Sequence, residues 1–303
     1  QLQNLNYREL ENKSILIFED YIKIFRKDPQ KEKQDIENLM KYSRKLHNDL
    51  RDFAKLSEPE KPLLISAILI ALEDRSFRAS YKEETRAVDL AKSMINTIEK
   101  VLEKARIPEN KRINMIQPYS FIPVHPELIK EKNRDNKKVS ILYDLTREID
   151  ENVKDFLNEY EHFDVLGQFY GEFLRYTGGD KKGLGIVLTP RHITELFSEL
   201  ADVKKDDVVF DNCCGTGGFL ISAMKKMVED TKEDSKEIEK IKKERLIGIE
   251  QNPNMFALGC ANMILRGDGK ANVYRGDCFE VTPIIKQKYK ITLAECGQKL
   301  GIS

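Results

Sequence analysis

Apolar residues recur at helical spacing, with charges between them, through the first two-thirds of the chain. From Asp35 to Leu56 the series Ile36, Leu39, Met40, Leu46, Leu50 and Phe53 predicts one amphipathic helix. A second is predicted to open at Ser57-Glu58-Pro59-Glu60, where Ser57 and Glu60 have capping-box spacing and Pro59 suits a first turn that needs no backbone donor. From Leu63 to Leu72 the side chains are apolar nearly all round, the pattern of a central bundle helix. Tyr81 to Arg106 and Val139 to Tyr160 read as two further amphipathic helices. Between them, the four prolines from Pro108 to Pro126 predict an extended connection.

The period changes near Gly178, where Gly178-Gly179-Asp180-Lys181-Lys182-Gly183 is polar and flexible. Beyond it short β-branched runs alternate with helical ones. Val208 to Phe210, Arg245 to Glu250 and Ala271 to Tyr274 predict strands; Phe219 to Val228 and Pro253 to Leu265 predict helices. That alternation is the signature of a parallel, doubly wound α/β sheet. The charge run Glu229 to Glu244 reads as the solvated end of the first crossover helix and its loop. The expected organisation is an all-α domain over residues 1–178, offering partner and DNA contacts, and an α/β domain over 179–303.

Candidate chemistry sits in Phe210-Asp211-Asn212-Cys213-Cys214-Gly215-Thr216-Gly217-Gly218-Phe219-Leu220. A strand ending in an acid, a Gly-x-Gly bend and an apolar helix form a nucleotide-type binding turn, because glycine admits positive φ and lets backbone approach a ligand. It is neither a dinucleotide fingerprint, which would need glycine at Leu220, nor a phosphate loop, since no Gly-Lys-Ser/Thr follows. Glu250 closes the second strand and Asp277, followed by Cys278, comes after the third. Acids after successive parallel strands collect at the carboxyl edge of the sheet, where open α/β sheets bind ligands. Such a rim repels pyrophosphate and suits a cofactor with no phosphate and a positive centre.

The run from Asp211 to Leu220 resembles motif I of S-adenosylmethionine-dependent DNA adenine-N6 methyltransferases. More narrowly, it resembles the modification subunit of type I restriction–modification systems. Leu166-Gly167 with Phe169-Tyr170, Leu188-Thr189-Pro190-Arg191 and Asn262-Met263-Ile264-Leu265-Arg266-Gly267-Asp268-Gly269 are similar to further elements of that family, as are His47-Asn48-Asp49-Leu50-Arg51 and Glu60-Lys61-Pro62-Leu63-Leu64 of its helical domain. The resemblance implies an all-α N-terminal domain followed by part of a Rossmann-like methyltransferase sheet. It implies S-adenosylmethionine held by Thr189, Pro190, Asp211, Gly215, Thr216, Gly217, Gly218, Phe219, Glu250, Asp277 and Cys278, with Thr189 and Pro190 at its methionine end. Double-stranded DNA, a specificity subunit and a restriction subunit are the implied partners.

Two departures shape the expectation. Asn212 stands where the family usually has proline, and no Pro-Pro pair occurs in the chain, so the family's (Asn/Asp)-Pro-Pro-(Tyr/Phe) signature is missing. Lys288 to Thr292 reads as the start of a fourth strand, the signature does not follow it, and the chain is expected to be truncated before the catalytic residues and inactive by itself. The rival readings are an enzyme methylating RNA or protein and a non-catalytic scaffold.

Composition narrows the class. Equal numbers of Lys+Arg and Asp+Glu, 51 each, argue against nucleic-acid binding through bulk charge, and with 40% hydrophobic residues a globular fold is affordable. The longest apolar run, Pro62 to Leu72, falls short of the ~20 residues a bilayer demands. With no basic-then-apolar leader and five cysteines in no paired spacing, a reducing, cytoplasmic setting is expected. Cys213 and Cys214 are expected to be small buried packing residues, and Phe169, Tyr170 and Phe173 core. No metal site is expected, because His47, His125, His162 and His192 show no ligand spacing. Thr189 before Pro190 also reads as an ordinary helix N-cap. Lys41, Arg44, Lys45 and Arg51, beside Asp49 and Asp52, read as an exposed mixed-charge face.

Overall fold

The computed structural model describes residues 29–83, 86–134, 137–160, 163–176, 188–231, 234–267 and 272–289. The chain divides into two units, Gln1–Lys41 and Tyr42–Ser303. Of the first, the described residues form the beginning of α1 (Pro29–Asp52); the account below concerns the second.

After α1 come α2 (Glu60–Ala71), α3 (Arg75–Ser80), α4 (Ala87–Lys104) and α5 (Glu109–Ile116). A hairpin of β1 (Glu131–Arg134) and β2 (Lys137–Ser140) leads to α6 (Ile141–Ile149), α7 (Asp155–Glu159) and α8 (Val165–Tyr176). The α/β portion contains α9 (Arg191–Leu200), β3 (Val209–Asp211), α10 (Gly218–Asp230), α11 (Ser235–Lys240), β4 (Leu246–Glu250), α12 (Pro253–Leu265), β5 (Val273–Arg275) and α13 (Cys278–Tyr289).

The start of α2 matches its sequence signal. Glu60 and Lys61 donate backbone N–H bonds to the Ser57 carbonyl, and Glu60 Oε2 accepts from Ser57 N at 2.8 Å, one arm of a capping box. Every residue from Lys61 to Ala71 is buried, because a helix apolar all round has no face to give to water. Its buried Lys61 ammonium is paired with Glu58. Phe169, Tyr170 and Phe173 of α8 are fully buried, as expected.

β3, β4 and β5 form a parallel sheet in that order, with Asp211 opposite Gly248 and Glu250 opposite Arg275. Ile247 and Ile249 of β4 pack with Ile285 of α13 on one face. By strand alternation Gly248 faces the other way, towards Cys214 and Leu220 of α10. α12, buried almost throughout, packs against both the sheet and α2. The helical and α/β portions therefore share one core through α12.

Several expectations give way. Pro108 to Pro126 is not extended: it holds α5 and two short 3-10 turns, since Pro118 and Pro123 sit at first-turn positions that lack a donor requirement. The hairpin of β1 and β2 has no counterpart in the sequence reading. The charge run Glu229 to Glu244 is not only a loop: it includes α11, capped by Asp234 and with no buried residue. Arg245, expected to open the second strand, instead precedes β4 and is buried against Glu237 and the Lys205 carbonyl. Lys288 and Tyr289 close α13 instead of opening a fourth strand; residues 290–292 lie outside the described residues, as does the boundary near Gly178. Among the described residues no helix is long and apolar enough to cross a membrane.

Candidate functional site

The bend between β3 and α10 is shaped by its glycines. Gly215 and Gly217 have φ of +55° and +86°, values that side chains resist, and Gly217 N donates to the Cys214 carbonyl at 2.7 Å. Gly217 is the N-cap of α10 and has no side chain to occupy the first turn's donors, so they remain directed at the bend. A Cβ on Gly259 of α12 would stand 2.7 Å from the Gly215 carbonyl oxygen, so glycine is required there for α12 to support the bend from behind.

The three acids lie at the carboxyl edge of the sheet in a stagger. Asp211 is level with Gly248, Glu250 lies two residues further, and Asp277 follows β5. Glu250 braces the bend: Oε2 accepts from Gly215 N at 2.9 Å and Oε1 from Asn252 N at 2.7 Å. Asn252 then caps α12, its Oδ1 accepting from Asn254 N and Met255 N. Asp277 Oδ1 accepts from Phe279 N at 2.8 Å and so opens α13.

Asp211 differs. Oδ1 accepts from Cys213 N at 3.1 Å, whereas Oδ2 is buried with no hydrogen-bond partner. Burial pushes its carboxyl above the ordinary range; the Cys213 N–H opposes this, and the negative charge of Glu250 adds to it. A buried acceptor left open is costly unless something donates to it. A ligand hydroxyl or ammonium would fill that role, so the donor chemistry of the rim fits the cofactor implied by the sequence resemblance.

Other predicted residues fall around the bend. Thr216 is buried, Gly218 half-buried, and Phe219 sets its ring edge-on to Phe197 with centroids 5.8 Å apart. Thr189 and Pro190 are exposed just ahead of α9. Pro190 itself is the N-cap of α9, without a side-chain cap, which corrects the capping role expected of Thr189. Cys214 is buried, but Cys213 is exposed at the tip of the bend, contrary to expectation. Cys278 is half-buried. The Cys213 thiol is held above its ordinary pKa, first by loss of solvent and then by the neighbouring Cys278.

Sequence reasoning missed a buried polar cluster behind the bend. Asn262 of α12 donates from Nδ2 to Asp164 Oδ1 at 2.9 Å and to the Thr216 carbonyl at 2.8 Å. Asp164 Oδ1 also accepts from Gly167 N at 2.8 Å, and burial raises its carboxyl pKa against the opposing charge of Arg266. Fully buried Arg266 donates to the Asn262 carbonyl at 2.7 Å and to the Phe163 carbonyl. The available signal was a polar pair four apart in the otherwise apolar run from Met255 to Leu265 and its flank. A cleft opens beside this cluster, lined by Asp164, Thr189, Arg191, Glu195, Gly218 and Lys225 among others.

Away from the bend, Arg44 pairs with Glu172, Lys45 with Asp49 and Glu148, and Arg51 with Asp52, the mixed-charge face expected there. Among the described residues no three His, Cys, Asp or Glu side chains gather as metal ligands.

Residues 161–292 match the family model for N-6 DNA Methylase. Over 265 residues the chain is 37% identical to the type II restriction enzyme and methyltransferase RM.BcgI of Heyndrickxia coagulans, covering 86% of this chain and 41% of that protein. The type I restriction enzyme MjaIX methylase subunit of Methanocaldococcus jannaschii is 31% identical over 145 residues, 48% of this chain and 24% of that subunit. The chain thus spans less than half the length of either relative. A solved chain from a study of complex assembly and conformational transition in the type I R-M system aligns over 80% of this chain and 51% of its own, at 18% identity and a TM-score of 0.44.

Proposed function

Because the chain is related to the methylases of restriction–modification systems, and its residues 161–292 to N-6 DNA methylases, we propose that it is the cofactor-binding part of a DNA adenine-N6 methyltransferase. The observation that carries this reading is Asp211 Oδ2, a buried acceptor with no partner at the mouth of a glycine bend. S-adenosylmethionine, when bound, supplies a methyl group on a sulfonium that an amine nitrogen displaces.

The chain's own residues would bind and orient it. Gly215, Thr216, Gly217 and Gly218 let the backbone approach the ligand without a Cβ in the way. The first turn of α10, begun by Gly218 and Phe219, directs its N–H groups towards negative charge. Glu250 keeps lone pairs beyond those used by Gly215 and Asn252, and takes the ribose hydroxyls. Asp277 and Cys278, after β5, border the adenine. Thr189 and Pro190 cover the methionine end. Three acids make the rim hospitable to a positive centre by simple Coulomb attraction.

The tetrapeptide that would accept the adenine amine and stack on the flipped base does not occur in these 303 residues. The role proposed for them is therefore capture and presentation of cofactor in the cytoplasm, with double-stranded DNA, a specificity subunit and a restriction subunit as partners of the system. Calorimetric titration with S-adenosylmethionine tests the binding. The unaltered chain is expected to give saturable heat, and Gly217→Asp, which puts a strained carboxylate into the bend, to bind at least tenfold more weakly. No heat from the unaltered chain rejects the reading. Incubation with labelled cofactor, DNA and specificity subunit is expected to leave adenine unmethylated; methylation by these residues alone would reject the division of labour.

A further inference from the structure

The proposed cofactor carries an amino acid, and besides Asp211 Oδ2, which a hydroxyl would satisfy equally, no residue named so far accepts from its ammonium. Asp164 is 9% exposed and lies beside the bend. The hydrogen bonds it accepts from Gly167 N and Asn262 Nδ2 both end on Oδ1. Oδ2 accepts no hydrogen bond among the described residues, and Asp164 is part of the cleft wall with Thr189 and Gly218. Oδ2 lies 3.8 Å from where a Gly218 Cβ would stand, which puts it at the first turn of α10. The side chain is held rigidly: a Cβ on Gly167 would overlap it, and Asn262 pins its other oxygen to the bend through Thr216.

Charge around the cleft is balanced. Asp164 and Glu195 face Arg191 and Lys225, and both cations are held by Glu195, at 2.9 Å and 3.3 Å. A neutral wall with separated signs suits a zwitterion better than a phosphate or a simple cation. Resting on the function proposed above, we infer that Asp164 Oδ2 receives the ammonium of the cofactor's amino-acid end, in the cleft it shares with Thr189 and Gly218. The carboxylate of the same zwitterion then faces the first-turn N–H groups of α10 and the cationic side of the cleft.

The test uses ligands that differ only at that end, titrated into the full chain by calorimetry. S-adenosylhomocysteine carries the amino acid; its desamino analogue lacks the ammonium; 5′-methylthioadenosine lacks the whole end. The unaltered chain is expected to bind S-adenosylhomocysteine at least about tenfold more tightly than the desamino analogue, the scale of one charge-assisted hydrogen bond. Asp164→Asn, which keeps an acceptor for Gly167 and Asn262, is expected to erase that preference while changing methylthioadenosine affinity less than twofold. Equal affinity for the first two ligands on the unaltered chain overturns the inference even if the variant does not fold. Methylthioadenosine binding alongside that equality leaves the cofactor reading standing, whereas no binding of any of the three ligands rejects both.

Discussion

Asn262 Nδ2 stands 2.9 Å from Asp164 Oδ1, joining α12 to the segment that opens α8 across 98 residues of chain. The same nitrogen donates to the Thr216 carbonyl, so one amide locks the glycine bend to the helical portion. Each partner is buried.

Asn262→Ala leaves the Asp164 carboxylate and the Thr216 carbonyl each short of a donor. A loss of about 2–4 kcal/mol is expected from denaturant unfolding, the scale of stranding buried polar groups. A double-mutant cycle with Asp164→Ala should show strong coupling; additive effects would mean the contact does not hold the two segments together.

Gly259→Ala tests the close approach of α12 to the bend. The new methyl meets backbone, the Gly215 carbonyl, and no flexible side chain. Destabilisation of about 1–3 kcal/mol is expected, although alanine is the better helix former. Cofactor affinity, measured in parallel, should fall as the bend is displaced.

Asp211→Asn is expected to raise thermal stability while weakening cofactor binding. The native carboxyl is pushed above its ordinary value of 3.8, so the folded state holds this proton more tightly than the unfolded chain. Its contribution is fully present below that value and is lost as pH rises through the folded one. The variant's advantage should vanish in acid, where both side chains are neutral, and reach about 1–4 °C in Tm near neutrality. A variant less stable at neutral pH would contradict this account.

Among the cysteines with described surroundings, Cys213 is the exposed one and should be the first alkylated by iodoacetamide, with Cys214 and Cys260 protected by burial. Because its thiol is held above the ordinary pKa, the rate should keep climbing as the solution becomes more alkaline. Peptide mass mapping across a pH series reads both. Saturating cofactor should slow the reaction if the ligand covers the bend.

Local patterns along the chain were sufficient to read α2, α10, α12, the three parallel strands and the Gly-x-Gly bend. Helical period, strand alternation and glycine's freedom act over a few residues and leave their mark in the order of side chains. Even the bounds of α12 are those predicted, Pro253 to Leu265. The same locality misled at Pro108 to Pro126, where four prolines suggested an extended chain but two of them occupy first turns.

Only the folded chain settled which polar residues are buried and what each one meets. Asn262 and Arg266 lie in a stretch that resembles a family element, yet nothing in the sequence pairs them with Asp164; burial joined the three because α12 is wedged between sheet and bundle. Likewise, the composition listed Asp211, Glu250 and Asp277 as equivalent acids, but packing engaged Glu250 with two N–H groups, made Asp277 a helix cap, and left one oxygen of Asp211 open. Hydrogen-bond satisfaction depends on neighbours tens of residues away, and that is information a one-dimensional pattern does not carry.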